Sequence, residues 1–210
     1  IDNAYFGQAT PWLGHVPSSY PGYHESDTQY SYDPVGNVIR EVDGRGIATE
    51  YVVNALNQVV ATHIDVAGLD YELRYRYDAN DNLVRIDVEN VLPELDADYH
   101  PTGQVLLDPT HPWMSTSFAY DLLDNLLEQR LEADAFTELV TAYAYDALER
   151  LVRITLPEGN RHQYTYDERG LTTGIIMGAG SPEALSTAHT FDANGQIVRI
   201  TDGEGHPTDL

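Results

Sequence analysis

Cysteine is absent from the 210-residue chain, and so is lysine. The first absence removes disulfides, thiolate nucleophiles and Cys-bearing zinc sites. The second removes Schiff-base and phosphate-loop chemistry that depends on an ε-amine. All 11 basic residues are therefore Arg, set against 34 acidic ones, for a formal net charge of −23. That balance denies the basic footprint on which nucleic-acid and anionic-membrane binding depend. No apolar run approaches the roughly 20 residues of a membrane-spanning helix, so no membrane insertion is expected. The start, Ile1-Asp2-Asn3, has neither an initiator Met nor a basic n-region, and reads as that of a processed or excised piece.

What is present is a folding composition, 42% apolar and 10% aromatic, enough for one large domain or two small ones. The aromatic share is lopsided, with 15 Tyr against 4 Phe and 2 Trp. The tyrosines expose an internal repeat. Tyr30-Ser31-Tyr32-Asp33 recurs as Tyr75-Arg76-Tyr77-Asp78, Phe118-Ala119-Tyr120-Asp121, Tyr143-Ala144-Tyr145-Asp146 and Tyr164-Thr165-Tyr166-Asp167. Weaker copies end at Asn54, His100 and Asp192, which makes eight. The spacings are 21, 24, 22, 21, 25, 21 and 25 residues, a period of about 23 that signals one supersecondary unit per copy.

Three residues after the Asp column stand Gly36, Asn57, Asp81, Gly103, Asp124, Glu149, Gly170 and Gly195, nearly all types that tolerate positive φ. Asp-x-x-Gly is thus a tight turn, capped by the Asp side chain and closed by a left-handed residue. Both rings of Tyr-x-Tyr share one strand face. Apolar pairs followed by Arg, such as Val38-Ile39-Arg40 and Leu151-Val152-Arg153, supply the returning strand. Each repeat is predicted to be a β-hairpin in which Asp33 faces Asn37, Tyr32 faces Val38 and Tyr30 faces Arg40. The same rule sets Tyr75 opposite Arg85, Tyr143 opposite Arg153 and His189 opposite Arg199, a Tyr–Arg pairing that explains the Tyr excess. The expected fold is all-β: eight hairpins, each pairing with the next in one long antiparallel strip over residues 30–210. Residues 1–29, with Pro11-Trp12 and Tyr20-Pro21-Gly22-Tyr23, are expected to be a connecting segment or a degenerate repeat. Asp202-Gly203-Glu204-Gly205 superimposes on Asp43-Gly44-Arg45-Gly46, so the strip reads as truncated in mid-pattern at Leu210.

These columns at this spacing resemble the YD-repeat, or Rhs-repeat, family, which includes bacterial Rhs toxins, the shell components of insecticidal toxin complexes and the extracellular part of teneurins. The resemblance covers about residues 29–210. It implies a sheet that spirals into a hollow shell or solenoid. In the toxin members that shell encloses an effector domain, and the repeat itself is structural. The toxin members also end their repeats in a self-cleaving aspartyl motif. Nothing after Asp192 matches that motif, and Asp33-Pro34-Val35-Gly36, which has a similar string, lies at the hairpin-turn phase. No protease activity is assigned.

Other chemistry is weaker than the repeat. Asp78-Ala79-Asn80-Asp81-Asn82 and Asp192-Ala193-Asn194-Gly195-Gln196 have a calcium-loop flavour but lack the closing Glu and coincide with turns. The eight His residues form no zincin pair, and no Gly-x-Ser-x-Gly elbow occurs. Neither a cofactor, a metal site nor an enzyme is expected. The expected role is a structural segment of a secreted or cell-surface protein, the wall of a toxin-enclosing shell, with an extracellular scaffold, adhesin or filament as the alternative. Its expected partners are further repeats, a basic enclosed domain, or carbohydrate on the Tyr ladder. Only six of the 34 acids (Asp33, Asp78, Asp121, Asp146, Asp167, Asp192) fill the turn column, and Asp87, Glu89, Glu94, Asp96 and Asp98 crowd together as surplus charge.

Overall fold

The structure is a computed structural model, and it describes residues 27–68 and 70–210. Most of the segment 1–29 thus lies outside the described residues. The rest is β-structure, and no helix occurs among the described residues. Strands pair as hairpins in chain order. These are β1 (Gln29–Tyr32) with β2 (Val38–Val42), β3 (Ala48–Val53) with β4 (Val59–Ile64), and β5 (Tyr71–Tyr77) with β6 (Leu83–Glu89). They continue as β7 (Val91–Leu95) with β8 (Pro101–Leu107), β9 (Trp113–Tyr120) with β10 (Leu126–Asp134), and β11 (Thr137–Tyr145) with β12 (Leu151–Thr155). The last are β13 (Arg161–Tyr166) with β14 (Thr172–Met177) and β15 (Leu185–Phe191) with β16 (Ile197–Asp202), followed by β17 (Pro207–Asp209). Thr, Val, Leu and Tyr are the commonest residues of these runs, and Thr, Val and Tyr suit a pleated, half-exposed strand.

Fifteen strands form one antiparallel sheet in the order β1 to β6, then β9 to β17. The fourth hairpin, β7 with β8, is a separate two-stranded sheet that the main ladder bypasses. This corrects the expectation that every hairpin pairs with the next. The chain divides into two compact units, Ile1–Tyr77 with Arg85–Ser115, and Asp78–Val84 with Thr116–Leu210.

The register also differs from expectation. Tyr32 does pair with Val38, but Tyr30 pairs with Glu41 and Ser31 with Arg40. Likewise Tyr143 pairs with Ile154 and His189 with Ile200, while Arg153 and Arg199 face Ala144 and Thr190. The cause is a β-bulge one step past the turn, which skips Ile39, Val60, Leu127, Val152, Thr173 and Val198 in six hairpins. One extra residue flips everything beyond it to the opposite face. Arg40 therefore leaves the Tyr face and meets Glu50 of the neighbouring strand at 3.2 Å.

Among the described residues only Ala48, Thr62 and Asp87 are buried. The sheet is held by its backbone ladder and by side-chain bonds to that ladder, with little contribution from an apolar core.

Candidate functional site

The turn column is a repeated capping device. In each copy one Asp or Asn oxygen accepts two backbone N–H groups, from the second and fourth residues on. Asp33 Oδ1 takes the amides of Val35 at 3.0 Å and Asn37 at 2.9 Å. Asp78, Asp121, Asp146, Asp167 and Asp192 do the same, and Asn54 does so with its amide oxygen. The left-handed residue follows at Gly36, Asn57, Asp81, Asp124, Glu149, Gly170 and Gly195. In the fourth hairpin the capping residue is Asp96 instead of His100. Tyr99, at φ 63, takes the left-handed position, and Gly103 lies within β8.

The device is not confined to the repeat turn. Asp43 and Asp202 cap the links from β2 to β3 and from β16 to β17 in the same way. Three acids that sequence reading left as surplus (Asp43, Asp96, Asp202) thus work in turns. Their signal was the repeated Asp-Gly-x-Gly string and the Asp four residues before His100.

Capping sets the local electrostatics. The side chains of Asn37, Asn125 and Arg150 hold Asp33, Asp121 and Asp146 below the usual carboxylate range. The amide of Leu171 does this for Asp167 and that of His206 for Asp202. The turns are also laced to one another. Asn37 donates to Asn57 Oδ1 at 2.8 Å, Asn82 to Asp124 Oδ1 at 2.6 Å, and Arg169 to the Asp192 carbonyl at 2.8 Å. Arg150 donates to the Asp167 carbonyl at 3.0 Å and stacks over the Tyr166 ring at 4.8 Å. A Tyr–Arg contact therefore does occur here, between successive hairpins and not across the strands of one.

In four copies the second Tyr has a defined acceptor. Tyr77 donates to the Val59 carbonyl at 3.0 Å, Tyr120 to Leu83 at 3.0 Å, Tyr145 to Leu126 at 3.0 Å and Tyr166 to Leu151 at 2.7 Å. Each acceptor stands five residues after the turn residue of the hairpin that precedes it in the sheet. The bulge explains the choice. β12 pairs with β13 only from Arg153 onward, so the Leu151 carbonyl lies short of the ladder, and the Tyr166 hydroxyl satisfies it. Tyr120 reaches Leu83 of the third hairpin, because the fourth has left the sheet.

In the last copy Phe191 occupies the second Tyr position and has no hydroxyl. There His189, two residues earlier, brings Nδ1 to 3.1 Å from the Thr172 carbonyl, again five after the turn Asp. Burial raises the phenols of Tyr77, Tyr120 and Tyr145, which keeps them protonated as donors. Tyr30, Tyr75, Tyr143 and Tyr164 occupy the first position of the motif, where Phe118 stands in the fifth copy.

Sequence reading missed the role of Asp87. Its carboxylate is buried, with Arg85 Nε at 2.6 Å, Ser115 Oγ at 2.8 Å and Arg76 at 3.4 Å. A buried carboxylate needs such compensation, so Asp87 is an internal anchor and not surplus surface charge. The available signal was an Asp between Ile86 and Val88 within a strand that also holds Arg85.

Asp96, Asp98 and His100, all exposed at the tip of the fourth hairpin, bring three ligand atoms within 4.8 Å of one another. Calcium takes about six to eight oxygens, more than this set offers. The two stretches with calcium-loop flavour, at Asp78 and Asp192, are turns whose Oδ1 atoms are engaged by backbone amides.

A family model described as RHS Repeat matches residues 120–161 and 145–182. No curated protein matches the sequence. Among solved structures, the crystal structure of TcdB2-TccC3-TEV aligns over 88% of this chain and 10% of that one, at 13% identity and a TM-score of 0.66. The crystal structure of TcdB2-TccC3 aligns over 84% of this chain and 12% of that one, at 14% identity and a TM-score of 0.45. A Photorhabdus luminescens Tc holotoxin pore aligns over 82% and 11%, at 14% identity and a TM-score of 0.43. The first likeness shows a shared fold, of which this chain spans only the stated 10%.

Proposed function

We propose that the chain is a segment of a YD/Rhs-repeat array, a length of non-enzymatic wall in a secreted or cell-surface protein whose sheet encloses a toxin. Residues 30–210 are the working array in this reading. The observation that carries it is the use made of the repeat's polar side chains. The turn carboxylates cap their own hairpins, and Tyr77, Tyr120, Tyr145 and Tyr166 fasten theirs to the hairpin that precedes it in the main sheet. Groups so committed hold a sheet together and are not disposed around a substrate.

The partners that fit such a wall are further repeats, of the same chain or of a neighbouring subunit. They would extend the edge strands β1 and β17, each of which has one neighbour in the described sheet. The acidic excess suits a basic enclosed domain. Low-resolution electron microscopy of the native parent protein tests the reading. A hollow particle with closed ends is the expected result. A filament with a fixed axial repeat and no lumen would overturn it in favour of an extracellular scaffold.

A further inference from the structure

The fourth hairpin is built unlike the others. The chain leaves the main sheet at Asn90 and returns at Asp108, where the Asp108 amide donates to the Asn90 carbonyl at 2.8 Å and the Asn90 amide to the Pro112 carbonyl at 2.9 Å. The Asn90 side chain adds a bond to the His111 carbonyl at 2.9 Å. This neck closes the base of the excursion, so β7 and β8 form a separate ribbon of two strands.

Such a ribbon is marginal in water unless something covers it, and this one carries apolar side chains that nothing described covers. Leu92 pairs with Leu106 on one face and Val91 with Leu107 on the other. Leu106 is 55% exposed, and Tyr99 at the tip is 82% exposed. The two outer edges are not equivalent. Pro93 sits in the middle of β7 and has no N–H to offer a further strand, whereas β8 holds its single proline, Pro101, at its first position. The charge is one-sided: between Val91 and Leu107 there are Glu94, Asp96 and Asp98, and no Arg.

We propose that the β7–β8 hairpin is a docking arm whose β8 edge takes up an extended strand of a partner polypeptide in which apolar residues alternate with basic ones. The edge supplies backbone hydrogen bonds, the leucines supply contact area, and Asp96 and Asp98 select positive charge. A second copy of this chain, at −23, is repelled from that edge. The arm stands apart from the wall function, since the ladder passes it by.

The test uses the whole 210-residue chain and a fluorescent peptide of alternating Val and Arg. A second peptide of the same sequence, N-methylated at every other residue, has the same charge but cannot pair as a strand. Binding should weaken at least about tenfold when Asn90 is joined directly to Asp108, and by a similar factor on N-methylation of the peptide. The double variant Asp96→Asn, Asp98→Asn, which keeps the turn cap as Asn54 does, should weaken it severalfold. Should the shortened chain not fold, the methylated peptide and the double variant decide the matter alone. Equal binding of both peptides, or full binding by a folded chain without the hairpin, would reduce the effect to diffuse charge attraction and overturn the proposal. So would a dimer in sedimentation that disappears with the hairpin, since it would assign the edge to a second copy.

Discussion

A tyrosine hydroxyl aimed at one carbonyl makes a sharp prediction. Tyr166→Phe removes a donor and leaves the Leu151 carbonyl short of a partner, at a cost of about 1 kcal/mol. Tyr164→Phe should stay within a few tenths, because that ring makes no such bond among the described residues and the fifth copy already carries Phe118 there. Equilibrium denaturation of the two variants measures the difference. His189 and Phe191 give a harder test, since the pair exchanges roles with the Tyr column. His189→Ala should destabilise by about 1 kcal/mol, and adding Phe191→Tyr should return most of it by offering Thr172 a hydroxyl. A double-mutant cycle without that recovery would mean that the imidazole acts through packing against Phe191.

Ionisation follows from the same contacts. Asp33, Asp121, Asp146, Asp167 and Asp202 have lowered pKa values in the folded chain, so the unfolded chain binds more protons in acid. Their contribution is complete above about pH 4 and is lost as pH falls through the folded values. Burial raises Tyr77, Tyr120 and Tyr145, whose contribution is complete below about pH 10 and is lost as pH rises through their folded values. Melting temperatures measured across both windows should therefore form a plateau that falls at each end.

At the scale of the hairpin, the left-handed turn position is the most exposed to substitution. Gly170, at φ +84 with open space where a Cβ would stand, pays for a side chain in backbone strain alone, so Gly170→Val should cost about 1–2 kcal/mol and Gly170→Asn less. Glu149, at φ 61, sits there as a non-glycine, and Glu149→Gly should be neutral or stabilising in thermal melts.

This turn was legible in the sequence because Asp-x-x-Gly carries its own chemistry. The bulge was not. Val-Ile-Arg reads as continuous strand whether or not one residue is skipped, and only the Tyr hydroxyls, which need acceptors, register the difference. The fourth hairpin misled for another reason. Tyr99-His100 imitates the end of a repeat strand, while the actual turn places a Tyr where preference favours Gly or Asn. Asp87 escaped notice because composition counts a carboxylate the same whether it is solvated or held by Arg76 and Arg85.

On the scale of the whole molecule, few side chains are buried among the described residues, and cohesion passes from hairpin to neighbouring hairpin. Arrays of this kind behave as a sum of unit stabilities and nearest-neighbour couplings. The acidic excess is partly local structure, through Asp43, Asp96 and Asp202 in turns and Asp87 as an anchor. Others pair with arginines, as Glu50 does with Arg40, Glu72 with Arg74 and Asp209 with Arg199. Coupling between hairpins runs through the Tyr-to-carbonyl bonds. The most direct measurement is denaturant unfolding of a chain carrying Tyr77→Phe, Tyr120→Phe, Tyr145→Phe and Tyr166→Phe together, followed by circular dichroism and by Trp fluorescence. The expected result is a lower midpoint and a broadened transition in which the two signals no longer coincide, as the hairpins begin to unfold separately. A single sharp transition at the unaltered midpoint would contradict it.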